Sequence, residues 1–166
     1  MMRSPIERQR HLFEHELWAH DRVIASIESV PDPSRHDPDF HWAVDRMAHI
    51  LIARLVWLAR LKSEDAPTDL FPHLESSEGL RELAERVRDG WRGFLGELDD
   101  RALSRTVSYQ SSEGQAFDTP VEDILDHIYT HGFYHRGQIA RAVSAAGGER
   151  AVQDYIFFAR AEANSG

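Results

Sequence analysis

The residues best suited to chemistry in this chain of 166 residues are its ten histidines, three pairs of which have members four residues apart. These pairs are His11/His15, His127/His131 and His131/His135. On an α-helix, side chains at this spacing lie on one face, about 6 Å apart along the axis, so two imidazoles can converge on one ion. Each pair is therefore either a set of exposed polar residues or part of a metal site, and its surroundings must distinguish the two.

The surroundings of the pairs differ. His11 and His15 lie among charged residues, beside the apolar stripe of their helix, and are predicted to be exposed. His131 and His135 instead lie within residues 126–139, a helical segment rich in apolar and aromatic side chains. An unpaired imidazole buried in such a segment would cost free energy. This pair is therefore the better candidate for metal binding.

Two glycines interrupt the same helical segment. Gly132 and Gly137 each lower helix propensity by about 1 kcal/mol relative to alanine. Because glycine has no Cβ, it permits close approach of a neighbouring helix or of a ligand. Both positions therefore predict a close contact.

A third ligand must come from another helix, because catalytic metal sites typically have three protein ligands and an open position. The second predicted helix offers His41, near its start, and His49, within an apolar stretch. We favour His49, for which the alternative is a hydrogen-bonded core histidine. Asp45, one turn earlier, could accept the second ring proton of His49; the alternative is a solvated carboxylate.

Composition excludes several classes of protein. The chain has no cysteine, so a metal ion must be bound through nitrogen or oxygen. Its net charge of −9 opposes phosphate attraction and disfavours a nucleic-acid partner. No secretory signal is apparent, and Arg54 and Arg60 interrupt the most apolar stretch, so we expect a cytoplasmic protein without a membrane partner. No acidic residue stands three positions before a histidine, which disfavours a di-iron carboxylate bundle.

Periodic apolar residues predict an all-α fold, a four-helix bundle formed by one domain over residues 1–166. The predicted helices run over about 5–29, 39–62, 76–98 and 120–146, with a short helix over 152–163. Residues 99–118 lose the helical period and predict a small hairpin. Ser4 is the expected N-cap of the first helix, Thr119 to Glu122 form a capping box for the fourth, and Gly147 follows its end.

The segment His131 to Ile139 resembles the last helix of the DinB-like family, also described as bacillithiol-transferase-like, which carries His-x-x-x-His-Arg-Gly-Gln. The resemblance covers most of the chain, including residues 17–21, 47–51, 55–58 and 154–157. It implies a bundle with crossed connectivity, often a homodimer, that holds one divalent transition metal on His49, His131 and His135. Zinc or nickel is favoured, with iron, manganese or copper as alternatives.

The resemblance also implies a small-molecule substrate, since better-understood relatives activate a low-molecular-weight thiol. A metal-dependent thiol transferase is therefore the first hypothesis, a non-catalytic metal-binding or stress-related module the second, and a purely structural dimer the third. His127 is expected to pack or to support the site. Arg136 and Gln138 match the family motif and are expected to orient helices or line the pocket rather than to bind metal.

Two further groups of residues are candidates for substrate chemistry. His20 and Asp21 on the first helix could face the open coordination position, as a proton acceptor or a hydrogen-bond partner; the alternative is that both are polar residues of the helix surface. Aromatic side chains at helical spacing form either a pocket wall or plain core; these are Trp18, Trp57, Phe133 and Tyr134.

Overall fold

The structure is a computed structural model that describes residues 2–163. In this part of the chain, five α-helices and one two-stranded antiparallel sheet follow one another, with single 3-10 turns at Asp32–Ser34 and Asp100–Ser104. The elements are α1 (Pro5–Glu28), α2 (Pro38–Lys62), α3 (Glu78–Glu97), β1 (Thr106–Gln110), β2 (Ala116–Pro120), α4 (Val121–Ala145) and α5 (Tyr155–Ala163). The predicted helical bundle and the hairpin between the third and fourth helices are both confirmed.

Local capping explains where α1 and α4 begin. The Ser4 side chain accepts a hydrogen bond from the Glu7 backbone, and the Glu7 carboxylate accepts one from the Ser4 backbone, so α1 begins with a complete capping box. The capping box predicted at Thr119 is wrong. Thr119 pairs with Val107 in the hairpin, and Pro120 precedes α4 without a side-chain cap. Thr119 and Pro120, which the sequence pattern assigned to the start of a helix, are thus the last two residues of strand β2.

Helix α2 packs against α3 and α4, and α1 packs against the same two helices, so α1 and α2 lie diagonally across the bundle. The largest fully buried side chain among the described residues, Trp91 of α3, stacks on Phe13 of α1 with ring centroids 5.1 Å apart. Its indole N–H donates to the Arg54 carbonyl of α2 at 2.9 Å, so the polar end of the indole is satisfied in the core. This packing fixes α2, which carries one of the candidate ligands.

The hairpin and α5 pack on the outside of the bundle. Tyr109 of β1 contacts Trp57 of α2 edge to face at 5.0 Å, which brings the hairpin beside α2. Helix α5 covers part of α1, and its Phe158 packs against His15. His15 is consequently only 3% exposed, so the prediction that it is solvated is wrong. In the described part of the chain, no helix has both the length and the apolar composition needed to cross a membrane.

Candidate metal centre

Three imidazoles meet between α2 and α4. His49 of α2 and His131 and His135 of α4 each offer a ring nitrogen within 4.8 Å of the others. The Nε2 atoms of His49 and His131 are 3.2 Å apart. Zn–N bonds of 2.0–2.1 Å in a tetrahedral arrangement place two ligand nitrogens about 3.3 Å apart. The spacing therefore suits a shared transition metal, and His49, rather than His41, joins the pair on α4.

Hydrogen bonds orient two of the rings. The Nδ1–H of His49 donates to the Leu70 carbonyl at 2.7 Å, and the Nδ1–H of His135 donates to Gln138 Oε1 at 3.0 Å. Each bond leaves the Nε2 lone pair free, as a metal ligand requires. The predicted partner of His49 is wrong, because the Asp45 carboxylate accepts hydrogen bonds from the loop that follows α2, from His73 Nδ1 and the Leu74 backbone.

The loop between α2 and α3 also covers the centre. Phe71 stacks on His49 with ring centroids 4.2 Å apart and an angle of 2° between the ring planes. Its side chain is 64% exposed, so one face of the phenyl ring meets solvent while the other shields the imidazole. The loop that supplies the carbonyl of Leu70 thus also supplies an aromatic cover.

Burial keeps all three rings in the neutral form that binds metal. Burial, together with the nearby positive charge of Arg54, lowers the pKa of His131 to about 3. Burial also lowers the pKa of His49 and of His135 below the usual value. Because a protonated imidazole has no lone pair to share, this environment favours metal binding at neutral pH.

A buried ion cluster lies behind the histidines and was missed by sequence reasoning. Arg54 of α2 donates to Glu16 Oε1 of α1 and to the Ile128 carbonyl at 2.5 Å, and Arg136 of α4 donates to Glu16 Oε2 at 2.6 Å. All three charged side chains are almost completely inaccessible. Burial alone would raise the pKa of Glu16, but Arg136 and Arg54 hold it well below the usual range.

This cluster positions the centre, because Arg54 and Arg136 connect the ligand-bearing helices to one carboxylate of α1. Arg54 Nη1 also lies 3.5 Å from His131 Nδ1. The one available signal in the sequence was Arg54 itself, a charge within the most apolar stretch of the chain. A buried guanidinium requires a partner.

The two interrupting glycines have different surroundings. A Cβ on Gly132 would lie 2.5 Å from Glu16 Oε1 and 2.7 Å from one nitrogen each of Arg136 and Arg54. Gly132 therefore makes room for the ion cluster, and the close contact predicted there is confirmed. A Cβ on Gly137 would meet nothing within 4 Å, so no neighbouring helix makes the predicted close contact at this position.

His20 and Asp21 of α1, the two residues predicted to act on substrate, lie away from the cavity beside the histidines. His20 is buried, with Nε2 3.3 Å from Glu16 Oε1, and so belongs with the ion cluster. The Asp21 carboxylate accepts from Arg88 of α3 at 2.9 and 3.0 Å. Neither residue is among those that line the cavity beside the histidines in the described structure. Their catalytic role stays a prediction.

The remaining candidates are distributed around the bundle. His127 contacts the rings of His131 and Trp57 without joining the three ligands, as expected of a packing residue. Of the four candidate aromatic residues, Trp57 lines the cavity beside the triad. Trp18 contacts Phe158 of α5. The other two, Phe133 and Tyr134, are largely exposed.

A cavity of about 260 Å³ opens next to the histidines, between α2 and the hairpin. His49 and His131 are among the residues that line it. Its walls are mainly apolar, and its size lies near the lower limit of small-molecule sites, which are about 300–1,000 Å³. A small molecule held in this cavity would have direct access to a metal ion on the triad.

A helical bundle in which two helices bring three neutral imidazoles together beside a cavity is a candidate metal-binding bundle. The sequence matches the DinB family over residues 1–165, and the chain belongs to this family. The resemblance carried by residues 131–139 is thereby confirmed over the whole chain.

Two relatives agree with this assignment. Protein DinB of Bacillus subtilis (strain 168) is 23% identical over 155 residues, which cover 87% of this chain and 89% of the relative. The crystal structure of a DinB-like protein from Bacillus cereus ATCC 10987 aligns with a TM-score of 0.63 at 19% identity, over 85% of this chain and 94% of that chain. The second likeness supports the fold.

Proposed function

We propose that this protein is a divalent-metal-dependent enzyme that joins a low-molecular-weight thiol to a small electrophile. The observation that carries the proposal is the convergence of three neutral imidazoles, two of which, His49 and His131, line an open, mainly apolar cavity. His49, His131 and His135 would hold the metal, and the cavity would hold the reactants. Because the chain has no cysteine, the thiol must come from a substrate.

A zinc-like ion on this triad would lower the pKa of a thiol or of water in its open position. The protein's own groups would do the rest. Leu70 and Gln138 hold two rings with Nε2 towards the centre, and Phe71 shields one ring from water. The thiol sulfur would form a bond to an electrophilic carbon, the leaving group would depart with its electron pair, and the thiol proton would pass to solvent.

The second candidate is a metal-binding module without turnover, for example in a stress response. It is favoured by one observation, that neither His20 nor Asp21 lines the cavity among the described residues, so no side chain has been assigned to proton transfer. We further propose zinc or nickel as the metal, with iron or manganese as alternatives, and a cytoplasmic homodimer as the functional form. Light scattering at micromolar concentration tests the dimer.

The deciding experiment measures metal content and turnover on protein without a polyhistidine tag. We expect about one equivalent of transition metal and a thiol-dependent conversion of monochlorobimane to its thioether, with release of chloride. Both should be lost in His131→Ala and in His49→Ala, whereas His36→Ala, which removes an exposed histidine outside the triad, should retain both.

Metal bound without turnover would support the module. Turnover that survives loss of the triad would refute the metal mechanism. Less than a tenth of an equivalent of metal, unchanged by His49→Ala, would refute the metal centre itself.

A further inference from the structure

The cavity beside the triad has a distinctive distribution of charge. In this acidic protein, no acidic side chain lines it among the described residues, and its one permanently charged group is Arg60. Ser111 and Ser112, in the turn of the hairpin, add two hydroxyl groups. The remaining wall is apolar or aromatic and is formed by Ala53, Val56, Trp57, Leu70, Tyr109 and Phe117.

Arg60 is held in place without a carboxylate partner. Its guanidinium lies over the ring of Trp57 at 4.7 Å and near that of Tyr109 at 4.9 Å. One nitrogen donates to the Gln110 carbonyl at 3.1 Å. Over residues 2–163, no Asp or Glu oxygen lies within ion-pair distance of it. An oriented guanidinium with free donors matches a carboxylate.

Arg60 and one ligand of the triad, His49, lie on the same face of α2. His49, Ala53, Trp57 and Arg60 follow one another at steps of four, four and three residues, which places them on one helix face. The Arg60 guanidinium lies over Trp57, two turns from His49, so about 12 Å of helix axis separates the charge from the imidazole. The apolar wall occupies the interval between them.

We propose that the substrate class is a small amphipathic carboxylate, whose acid group binds Arg60 and whose apolar body lies along Trp57 towards the triad. The reaction at the apolar end rests on the proposed function above. Binding of the carboxylate does not, because it depends on Arg60 and the aromatic walls alone. The two proposals can therefore fail separately.

The test measures binding of matched probes by isothermal titration calorimetry on full-length protein treated with EDTA. The probes are phenylbutyrate and its neutral amide, phenylbutyramide, which share one apolar body and contain no thiol. We expect the acid to bind at least tenfold more tightly than the amide in the wild-type protein. Arg60→Gln should remove this preference.

Two control variants locate the effect. Arg101→Gln removes an exposed charge from the turn before the hairpin, and Arg46→Gln removes a cation of α2 that lies over Trp42 and Phe71 and does not line the cavity. Both should keep the preference for the acid. Equal binding of the two probes by the wild type, no binding of either at millimolar concentration, or loss of the preference in Arg46→Gln would overturn the proposal. The wild-type comparison needs no variant to fold.

Discussion

Replacement of Gly132 by alanine tests the link between the ion cluster and the fold. The added Cβ would lie 2.5 Å from Glu16 Oε1, closer than real Cβ contacts, and 2.7 Å from nitrogens of Arg54 and Arg136. All three neighbours are charged and buried, and both arginines donate to Glu16, so a shift of the carboxylate or of either guanidinium disturbs an ion pair. We therefore expect the substitution to separate at least one ion pair.

Two opposing contributions determine how much the free energy of unfolding of Gly132→Ala should change. Breaking a buried ion pair so that one charge loses its partner costs about 3–5 kcal/mol. Alanine in place of glycine within a helix stabilises the folded state by about 1 kcal/mol through its higher helix propensity. The free energy of unfolding of Gly132→Ala should therefore fall by about 2–4 kcal/mol relative to the wild type, despite the better helix propensity.

Urea denaturation followed by circular dichroism measures this difference, with EDTA present so that metal binding does not contribute. Gly137→Ala is the matched control, one turn and a half along α4, because its Cβ would meet nothing within 4 Å. It should raise the free energy of unfolding by about 0.5–1 kcal/mol. If both variants were stabilised equally, the ion cluster would not constrain α4 and the argument would be refuted.

Three further predictions concern the metal centre and pH. Gln138→Ala should weaken zinc binding by about 10–100-fold in a competition titration, since the His135 ring loses its acceptor, while exposed Arg141→Ala should not. Zinc at 100 times its dissociation constant should add about 2.7 kcal/mol to the free energy of unfolding, and should add nothing in His49→Ala. Burial lowers the pKa of His20, so the stability it contributes is complete above its unfolded value of 6.5 and is lost as pH falls below it. Between about pH 7.5 and pH 5.5, with EDTA, unfolding free energy should decrease, and less steeply in His20→Gln; an unchanged slope would contradict this.

Much of the fold has local signals in the sequence. Apolar periodicity locates the helices, and Gly147, with a φ of 82°, ends α4 as its position after the last apolar residue predicts. His49 also has a local signal, because an imidazole within apolar sequence needs a partner. The capping-box motif at Thr119 failed because strand pairing with β1 competes for the same residues.

The features that the sequence did not predict depend on contacts between residues that are distant in sequence. Glu16 binds Arg136 across 120 positions, and no local pattern on α1 distinguishes a buried carboxylate from a surface one. His15 is covered by α5, which lies at the other end of the chain. Gly132 and Gly137 have the same helix propensity, and only the neighbouring helices show which of them needs the missing Cβ.

Because His49 donates to the main-chain carbonyl of Leu70, the metal centre should tolerate substitutions in this loop better than insertions or deletions. A main-chain oxygen is present whatever side chain stands at position 70, so a substitution there leaves the acceptor in place. An inserted or deleted residue between Lys62 and Glu78 would move that oxygen and release the imidazole. The metal centre therefore depends on the length of this loop more than on its composition. Engineering of the surface around Phe71 should keep the loop length unchanged.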